Sequence, residues 1–180
     1  MTDFVAFDVE TPNYKNDSIC AIGLTSVKDG RITETQYYLV DPEDFFSRFN
    51  IGIHGITPEM VQGAFTFPEL WESVLKPAFE GKVLVAHNAS FDMGVLSKCL
   101  KRYGIGREND LYACTVRMGR KCLPQAPNHK LNTLCNLLGF DLLHHNAESD
   151  SIACAKLLLY YMEQGIPVKD YVREYIYAER

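Results

Sequence analysis

Near its start the chain reads Phe4-Val5-Ala6-Phe7-Asp8-Val9-Glu10, a short apolar run that contains two acids. Thr11-Pro12-Asn13 ends this run, so the pattern predicts a buried β-strand. Because side chains alternate along a strand, Asp8 and Glu10 leave the same face. Like charges repel there, and the alternative is an edge strand with two solvated acids. We favour a central strand because the surrounding run is so apolar.

Two further strands are expected over 18–27 and 32–40, because Lys28-Asp29-Gly30-Arg31 contains the Asp-Gly of a hairpin turn. Three antiparallel strands therefore open the chain, and 83–86 predicts another buried strand. Helices are predicted near 58–62 and 68–79, from a cap at Ser90 to about 103, and over 114–122, 130–138, 149–163 and 168–177. With no repeat or linker, residues 1–180 are expected to form a single α/β domain.

The composition excludes several classes of protein. An apolar fraction of 47% is typical of a folded globular chain, and no apolar stretch is long enough to span a bilayer. No secretory signal is visible at the start, so a cytoplasmic protein with no membrane partner is expected. The six cysteines form no Cys-x-x-Cys pair, and we interpret them as packing residues.

Charge is unevenly distributed along the chain. The formal net charge is −5, which argues against a general nucleic-acid coat protein. From Leu111 to Phe140, however, there is no acid, while four basic residues occur there: Arg117, Arg120, Lys121 and Lys130. This segment predicts either a solvated basic face or a track for phosphates.

Two more acids lie at the head of predicted helices. Asp92 and Asp150 each begin a stripe of apolar residues, which indicates that they point inward. For either acid alone, a favourable interaction with the helix dipole would be sufficient explanation. Together with Asp8 and Glu10 they form a set of four carboxylates that cannot all stay ionised in one interior without compensating charge.

Divalent cations would supply that charge. Carboxylates without a partnered set of His or Cys favour Mg²⁺ or Mn²⁺ over Zn²⁺, and two such ions can promote phosphodiester hydrolysis. His144 and His145 precede Asp150, and an imidazole there could accept a proton from the attacking water. The chemistry alone does not choose between the two histidines.

Three segments resemble the motifs of the DEDDh (DnaQ-like) 3′→5′ exonucleases and occur in the family's order. They are Phe7-Asp8-Val9-Glu10-Thr11, His87-Asn88-Ala89-Ser90-Phe91-Asp92 and His145-Asn146-Ala147-Glu148-Ser149-Asp150. The resemblance covers nearly the whole chain and is greatest to the proofreading epsilon-subunit branch of bacterial DNA polymerase III. It implies an RNase H-like fold, with a mixed central sheet flanked by helices.

The resemblance also implies roles for the motif residues. Asp8, Glu10 and Asp150 would bind the first metal ion, with Asp8 bridging to a second ion that Asp92 supports. His145 would be the general base, with His144 as its neighbour. The family's pocket for the terminal nucleotide implies substrate-binding roles for Thr11, His54, Ile56, Asn88 and Phe91. For the segment around His54 and Ile56, a turn with core isoleucines is the alternative.

One departure concerns Pro12-Asn13, which stands where the family usually has Thr-Gly or similar. Pro12 lacks an N–H and stiffens the loop, so the family's contacts by the residues after Thr11 are not carried over to this chain. The expected activity is removal of nucleoside 5′-monophosphates from 3′ ends of single-stranded or frayed DNA. The alternatives are an RNA-trimming enzyme of the same family and a non-catalytic nucleic-acid-binding module. A DNA polymerase subunit is an expected partner, unless the protein acts alone.

Overall fold

The computed structural model describes residues 3–177, and within them the strands form one seven-stranded sheet in the order β4-β3-β2-β1-β5-β6-β7. The strands are β1 (Phe4–Glu10), β2 (Ala21–Lys28), β3 (Arg31–Asp41), β4 (Phe65–Thr66), β5 (Val83–Ala86), β6 (Asn109–Cys114) and β7 (Arg173–Ile176).

Helices connect the strands and cover the sheet. They are α1 (Arg48–His54), α2 (Phe67–Leu70), α3 (Lys76–Phe79), α4 (Ser90–Arg102), α5 (Thr115–Cys122), α6 (Leu131–Leu138) and α7 (Ala147–Glu163). A π-helical segment, Trp71–Leu75, joins α2 to α3, and a 3₁₀ turn, Val168–Asp170, precedes β7. Among residues 3–177, no helix has the length and apolar character needed to cross a membrane.

β1 lies in the middle of the sheet, as its apolar sequence predicts. It pairs antiparallel with β2 along its whole length and parallel with β5 over Phe4 to Ala6. β2 pairs antiparallel with β3, whereas β5 pairs parallel with β6. The prediction of a mixed α/β sheet whose first three strands are antiparallel is therefore confirmed.

The two faces of β1 contribute to two separate cores. On one face Val5, Phe7 and Val9 pack in a cluster that includes residues of the helical segment Phe67–Phe79 and of α4. On the other face Phe4 and Ala6 pack in a cluster with residues of α6 and α7. The six cysteines are unpaired and all but Cys122 are buried, in agreement with a packing role. Asp8 and Glu10 lie on the same face as Phe4 and Ala6, at the C-terminal end of the strand.

The start of α7 packs unusually close to the sheet. A Cβ atom built on Gly23 of β2 would lie 1.9 Å from the carbonyl oxygen of Ala147, so only glycine fits there. Two residues along β2, the buried hydroxyls of Thr25 and Ser151 lie 2.9 Å apart. The side chain of Asn146 caps the helix by accepting a hydrogen bond from the Ser149 N–H at 3.0 Å. These contacts fix the first turn of α7 against the sheet.

Several predicted elements differ from the structure. The helix predicted near 58–62 is a series of turns, and the tail predicted as helix over 168–177 contains a 3₁₀ turn and β7. Ser90 begins α4 rather than capping it, because Ala89 occupies the cap position. Neither α1 nor β6 was predicted. β7 forms because its backbone pairs antiparallel with β6, from Asn109 opposite Ile176 to Tyr112 opposite Arg173.

We expect Gly23→Ala to lower the free energy of unfolding by roughly 1–3 kcal/mol, because the new methyl group must displace the backbone of α7. Gly94→Ala is the matched control: Gly94 lies inside α4 and a Cβ there meets no atom within 4 Å. That control should be stabilised by up to about 1 kcal/mol. Denaturant unfolding of both variants is the measurement, and equal stabilities would contradict the close packing of α7 on β2.

Candidate active site

Four carboxylates converge at one end of the central strand. Asp8 and Glu10 come from the end of β1, and one carboxylate oxygen from each lies within 4.8 Å of the other and of one from Asp150. Asp92 joins them from the first turn of α4, where its Oδ1 accepts a hydrogen bond from the Val9 N–H at 3.3 Å. Acids that are up to 142 residues apart in the chain therefore meet, because β1 ends where α4 and α7 begin.

Burial and mutual repulsion make the ionised forms of these carboxyls unfavourable. Burial, followed by the charges of Asp150 and Asp92, raises the pKa of Glu10 to about 8. Burial raises the pKa of Asp92 to about 7, although backbone N–H groups partly oppose this. The pKa of Asp8 is raised well above its ordinary value by burial and by its three acidic neighbours. Burial also raises the pKa of Asp150, against the charge of His144.

The arrangement of oxygen atoms fits a divalent cation. Oδ1 of Asp150 is buried and makes no hydrogen bond, and Nδ1 of His144 lies 3.5 Å from it. A buried carboxylate oxygen without a donor is costly unless a cation occupies the space beside it. The donors that surround this space are carboxylates, which hard cations prefer. Asp8, Glu10 and Asp150 therefore form an acidic cluster that can hold a metal ion.

The two histidines that precede α7 lie beside this cluster. Their rings stack with centroids 3.9 Å apart, and the backbone N–H of His145 donates to Oδ2 of Asp150 at 3.0 Å. His145 has a φ of 64°, a left-handed conformation that is uncommon outside glycine. Burial and the charges of His144 and His54 lower the pKa of His145, so its imidazole is neutral near pH 7.

A cleft of about 640 Å³ opens over the carboxylates. All five predicted catalytic residues line it, together with Asn88 and Phe91 from the predicted substrate-binding set. Phe91 is 40% exposed and so offers an aromatic surface, while Asn88 adopts a left-handed φ of 67° just before α4. The structure thus brings the motif residues from all three segments to one cavity.

The other three predicted substrate-binding residues form a group next to Glu10. The imidazole of His54 accepts a hydrogen bond from the Ile56 N–H at 3.0 Å, which leaves its Nε2 to donate to the Thr11 carbonyl at 3.1 Å. Asn50 of α1 also donates to this carbonyl, at 2.9 Å. Ile56 is only 4% exposed and belongs to a small buried cluster. These contacts attach α1 to the end of β1, and the substrate roles of the three residues stay predictions.

Several residues of the cleft were not predicted as site residues. The far wall is formed by α5, the loop over 123–130 and the start of α6, and it contributes Val116, Arg120, Asn128, His129, Lys130 and Leu131. The acid-free stretch from Leu111 to Phe140 was the signal in the sequence, but it could not show which basic side chains reach the cleft. Arg120 and Lys130 line it, whereas Arg117 and Lys121 do not.

His87, from the second motif, holds this wall in place. Its Nδ1 lies 2.8 Å from the hydroxyl of Thr115, and its Nε2 lies 3.0 Å from the carbonyl oxygen of His129. A ring nitrogen next to a carbonyl must donate, so Nε2 carries the proton and Nδ1 accepts from Thr115. Burial lowers the pKa of His87 to about 4, which keeps this tautomer neutral over the physiological range.

Comparison with known proteins agrees with this geometry. Residues 5–158 match the model of the RNase T family, which is described as an exonuclease family. Among curated proteins, the chain is 38% identical over 163 residues to a PolC-type DNA polymerase III of Halalkalibacterium halodurans, covering 87% of this chain and 11% of that protein. It is 34% identical over 181 residues to the Bacillus subtilis enzyme of the same description, covering 95% of this chain and 12% of that protein.

Solved structures show the same fold. Exonuclease X in complex with 5′-overhanging duplex DNA aligns with a TM-score of 0.75 and 25% identity, over 93% of this chain and 96% of that one. The nuclease domain of 3′hExo, a DEDDh member bound to rAMP, aligns with a TM-score of 0.78 and 18% identity over 98% of both chains. The expected RNase H-like fold is thereby confirmed. The chain belongs to the exonuclease family that it matches, as a DnaQ-like 3′→5′ exonuclease domain of the DEDDh type.

Proposed function

We propose that this domain uses two divalent cations, Mg²⁺ or Mn²⁺, to hydrolyse the last phosphodiester bond at the 3′ end of single-stranded or frayed DNA. The products are nucleoside 5′-monophosphates and a strand shortened by one nucleotide. The observation that carries this proposal is the convergence of Asp8, Glu10, Asp92 and Asp150 at the cleft, with the buried Asp150 Oδ1 lacking a donor.

The carboxylates would act as metal ligands. Asp8, Glu10 and Asp150 would hold one ion, and Asp8 and Asp92 would hold the second. When bound, such ions supply Lewis acidity that activates a water and stabilises the departing 3′ oxygen. The backbone N–H groups of Val9 and His145 orient the carboxylates of Asp92 and Asp150 by hydrogen bonds. These two donors keep the ligand atoms directed into the cleft before substrate enters.

His145 would be the general base. Its lowered pKa leaves the imidazole free to accept the proton of the attacking water at neutral pH, while the phosphorus–3′ oxygen bond breaks. His145 lines the cleft, and one of its ring nitrogens lies within 4.8 Å of a carboxylate oxygen of Asp150. Stacking on His144 limits rotation of the ring, so that its nitrogen stays directed at the same place.

DNA is the favoured substrate because the curated relatives are DNA polymerases, and the matched segment is 11–12% of their length. The same comparison supports a proofreading role and association with a polymerase. RNA is the second candidate, since 3′hExo is bound to rAMP and another structural neighbour recognises histone mRNA. Carboxylate-held cations act on the phosphate and ignore the 2′-hydroxyl, so sugar selection would depend on contacts near Glu10, Thr11 and Ile56.

A degradation ladder on matched DNA and RNA single strands tests direction, metal need and sugar together. With Mn²⁺, 5′-labelled DNA should shorten one nucleotide at a time, and 3′-labelled DNA should release its label at once as a mononucleotide. Chelator should stop both reactions, and RNA should be degraded more slowly than DNA. If the strands stay intact in the presence of Mn²⁺, the exonuclease proposal is wrong, and the protein is better interpreted as a non-catalytic nucleic-acid-binding module.

Asp8→Ala should abolish hydrolysis and leave the protein folded, because Asp8 would bind both ions and its loss removes like-charge repulsion from the site. Circular dichroism checks the fold, and the ladder checks the activity. Asp141→Ala removes an exposed acid outside the cleft and should keep the wild-type rate. Full activity of Asp8→Ala would show that the carboxylate cluster is not needed for hydrolysis.

His145→Ala should lower kcat by roughly 10²–10⁴-fold, as expected for loss of a general base. His144→Ala is the matched control and should cost much less, because its ring contributes stacking rather than proton transfer. Single-turnover rates near pH 7 are the measurement. If His144→Ala lowers the single-turnover rate more than His145→Ala does, His144 rather than His145 is the general base.

Stability without metal should fall as pH rises from about 5 to 8. Glu10 with a pKa of about 8 and Asp92 with a pKa of about 7 stay protonated in the folded protein after the unfolded chain has lost those protons. The folded state thus binds more protons, and the free energy of unfolding decreases with pH. Added Mn²⁺ should reduce this decrease, because it binds the ionised folded form.

Thermal unfolding in chelator and in Mn²⁺ measures this dependence. Glu10→Gln removes one titrating carboxyl from the cluster and should give a flatter pH profile than the wild type in chelator. Identical slopes for the two proteins would show that the raised pKa of Glu10 does not contribute to the pH dependence.

A further inference from the structure

The cleft contains two basic side chains that the proposed chemistry does not use. Arg120 lies in the last turn of α5, and Lys130 immediately precedes α6; both line the cleft that contains the carboxylates. Neither forms an ion pair with any residue between 3 and 177, whereas Lys15, Lys76, Arg102 and Arg107 all have acidic partners. Their charge is therefore available to a ligand.

The backbone that presents Lys130 is fixed by hydrogen bonds. His87 donates to the His129 carbonyl at 3.0 Å, and the ring of His129 in turn lies 3.1 Å from the carbonyl oxygen of Leu123. The side chain of Asn128 accepts from the Lys130 N–H at 3.0 Å. A loop held at these points places its basic residue at a defined position on the cleft wall, which reduces the entropy lost when a ligand binds.

The path of the substrate limits what these residues can contact. The 3′ end terminates at the carboxylates, so every other phosphate of the strand lies on its 5′ side. Cations held by Asp8, Glu10, Asp92 and Asp150 would neutralise only the phosphate being cleaved. With a net charge of −5, the chain would repel the remaining phosphates unless a local positive charge met them.

We propose that Arg120 and Lys130 form a phosphate-binding track that takes backbone phosphates on the 5′ side of the nucleotide being removed. The inference rests on the proposed function and adds a substrate-binding role for a wall that carries no motif residue. An interaction of Arg120 with the C-terminal end of α5 accounts for a basic residue there, but it does not account for Lys130 in the same cleft.

Two double variants of the full chain test the track. Arg120→Gln with Lys130→Gln removes the basic pair in the cleft. Arg117→Gln with Lys121→Gln removes the same charge from exposed residues of α5 that lie outside the cleft. On a ten-nucleotide DNA strand with Mn²⁺, the first variant should lose roughly tenfold in kcat/KM at low salt, mainly through KM. The second variant should match the wild type.

Salt dependence and substrate length separate phosphate binding from other effects. Losing two phosphate contacts on a single strand should reduce the slope of log(kcat/KM) against log[salt] by about 1.4. On a dinucleotide, whose one internal phosphate is the one cleaved, the cleft variant should lose far less than on ten nucleotides. An unchanged salt slope, or equal losses on both substrates, would overturn the track.

Binding in chelator keeps this test separate from the proposed hydrolysis. The anisotropy of a labelled ten-nucleotide strand should show weaker binding by the cleft variant than by the Arg117 and Lys121 variant. Equal affinities, including no binding by either, would overturn the track even if the wild type hydrolyses DNA. A wild type that binds through the track without hydrolysis in Mn²⁺ would instead overturn the exonuclease proposal.

Discussion

Repulsion among four carboxylates is the constraint around which the rest of the molecule is arranged. Asp8 and Glu10 are held on one face of a strand whose other residues are almost wholly buried, so they cannot move apart. The close approach of α7 to Gly23 then brings Asp150 to the same place, and α4 adds Asp92. Two backbone N–H groups, of Val9 and His145, offset part of the electrostatic cost. Apolar packing on both sides of β1 offsets the remaining cost.

The fold was predictable where local pattern and tertiary environment agree. The apolar run of β1, the Asp-Gly turn after β2 and the inward stripes of α4 and α7 each determine structure with little help from distant residues. β6 was missed because its polar start contains Asp110, which is buried only with Arg107 and Tyr177 as partners, and a sequence pattern cannot show such pairing. α1 was missed for the opposite reason: it has no buried residue and hence no apolar period, and only its caps at Ser47 and Gly55 mark it.

The same distinction applies to the site. The five predicted catalytic residues lie in three short motifs whose spacing is visible in the sequence, and all of them line the cleft. By contrast, the sequence did not show which residues of α5, the following loop and α6 line the cleft. Four basic residues were apparent there, but α5 is eight residues long, and its residues gave no basis for choosing Arg120 over Arg117. That choice depends on how α5 packs in the folded protein, where Met118 and Gly119 are buried, and a short stretch of sequence does not show which neighbouring elements face each side of the helix.

The order in which the elements that carry the four carboxylates occur along the chain has a consequence during protein synthesis. β1 supplies Asp8 and Glu10 first, whereas the helix that contributes Asp150 emerges from the ribosome after the whole sheet except β7. Until α7 docks on Gly23, the carboxylates of β1 lack the third member of their cluster and the neighbouring imidazole. The nascent domain therefore lacks an assembled carboxylate cluster until the segment that forms α7 has been synthesised and has packed on the sheet.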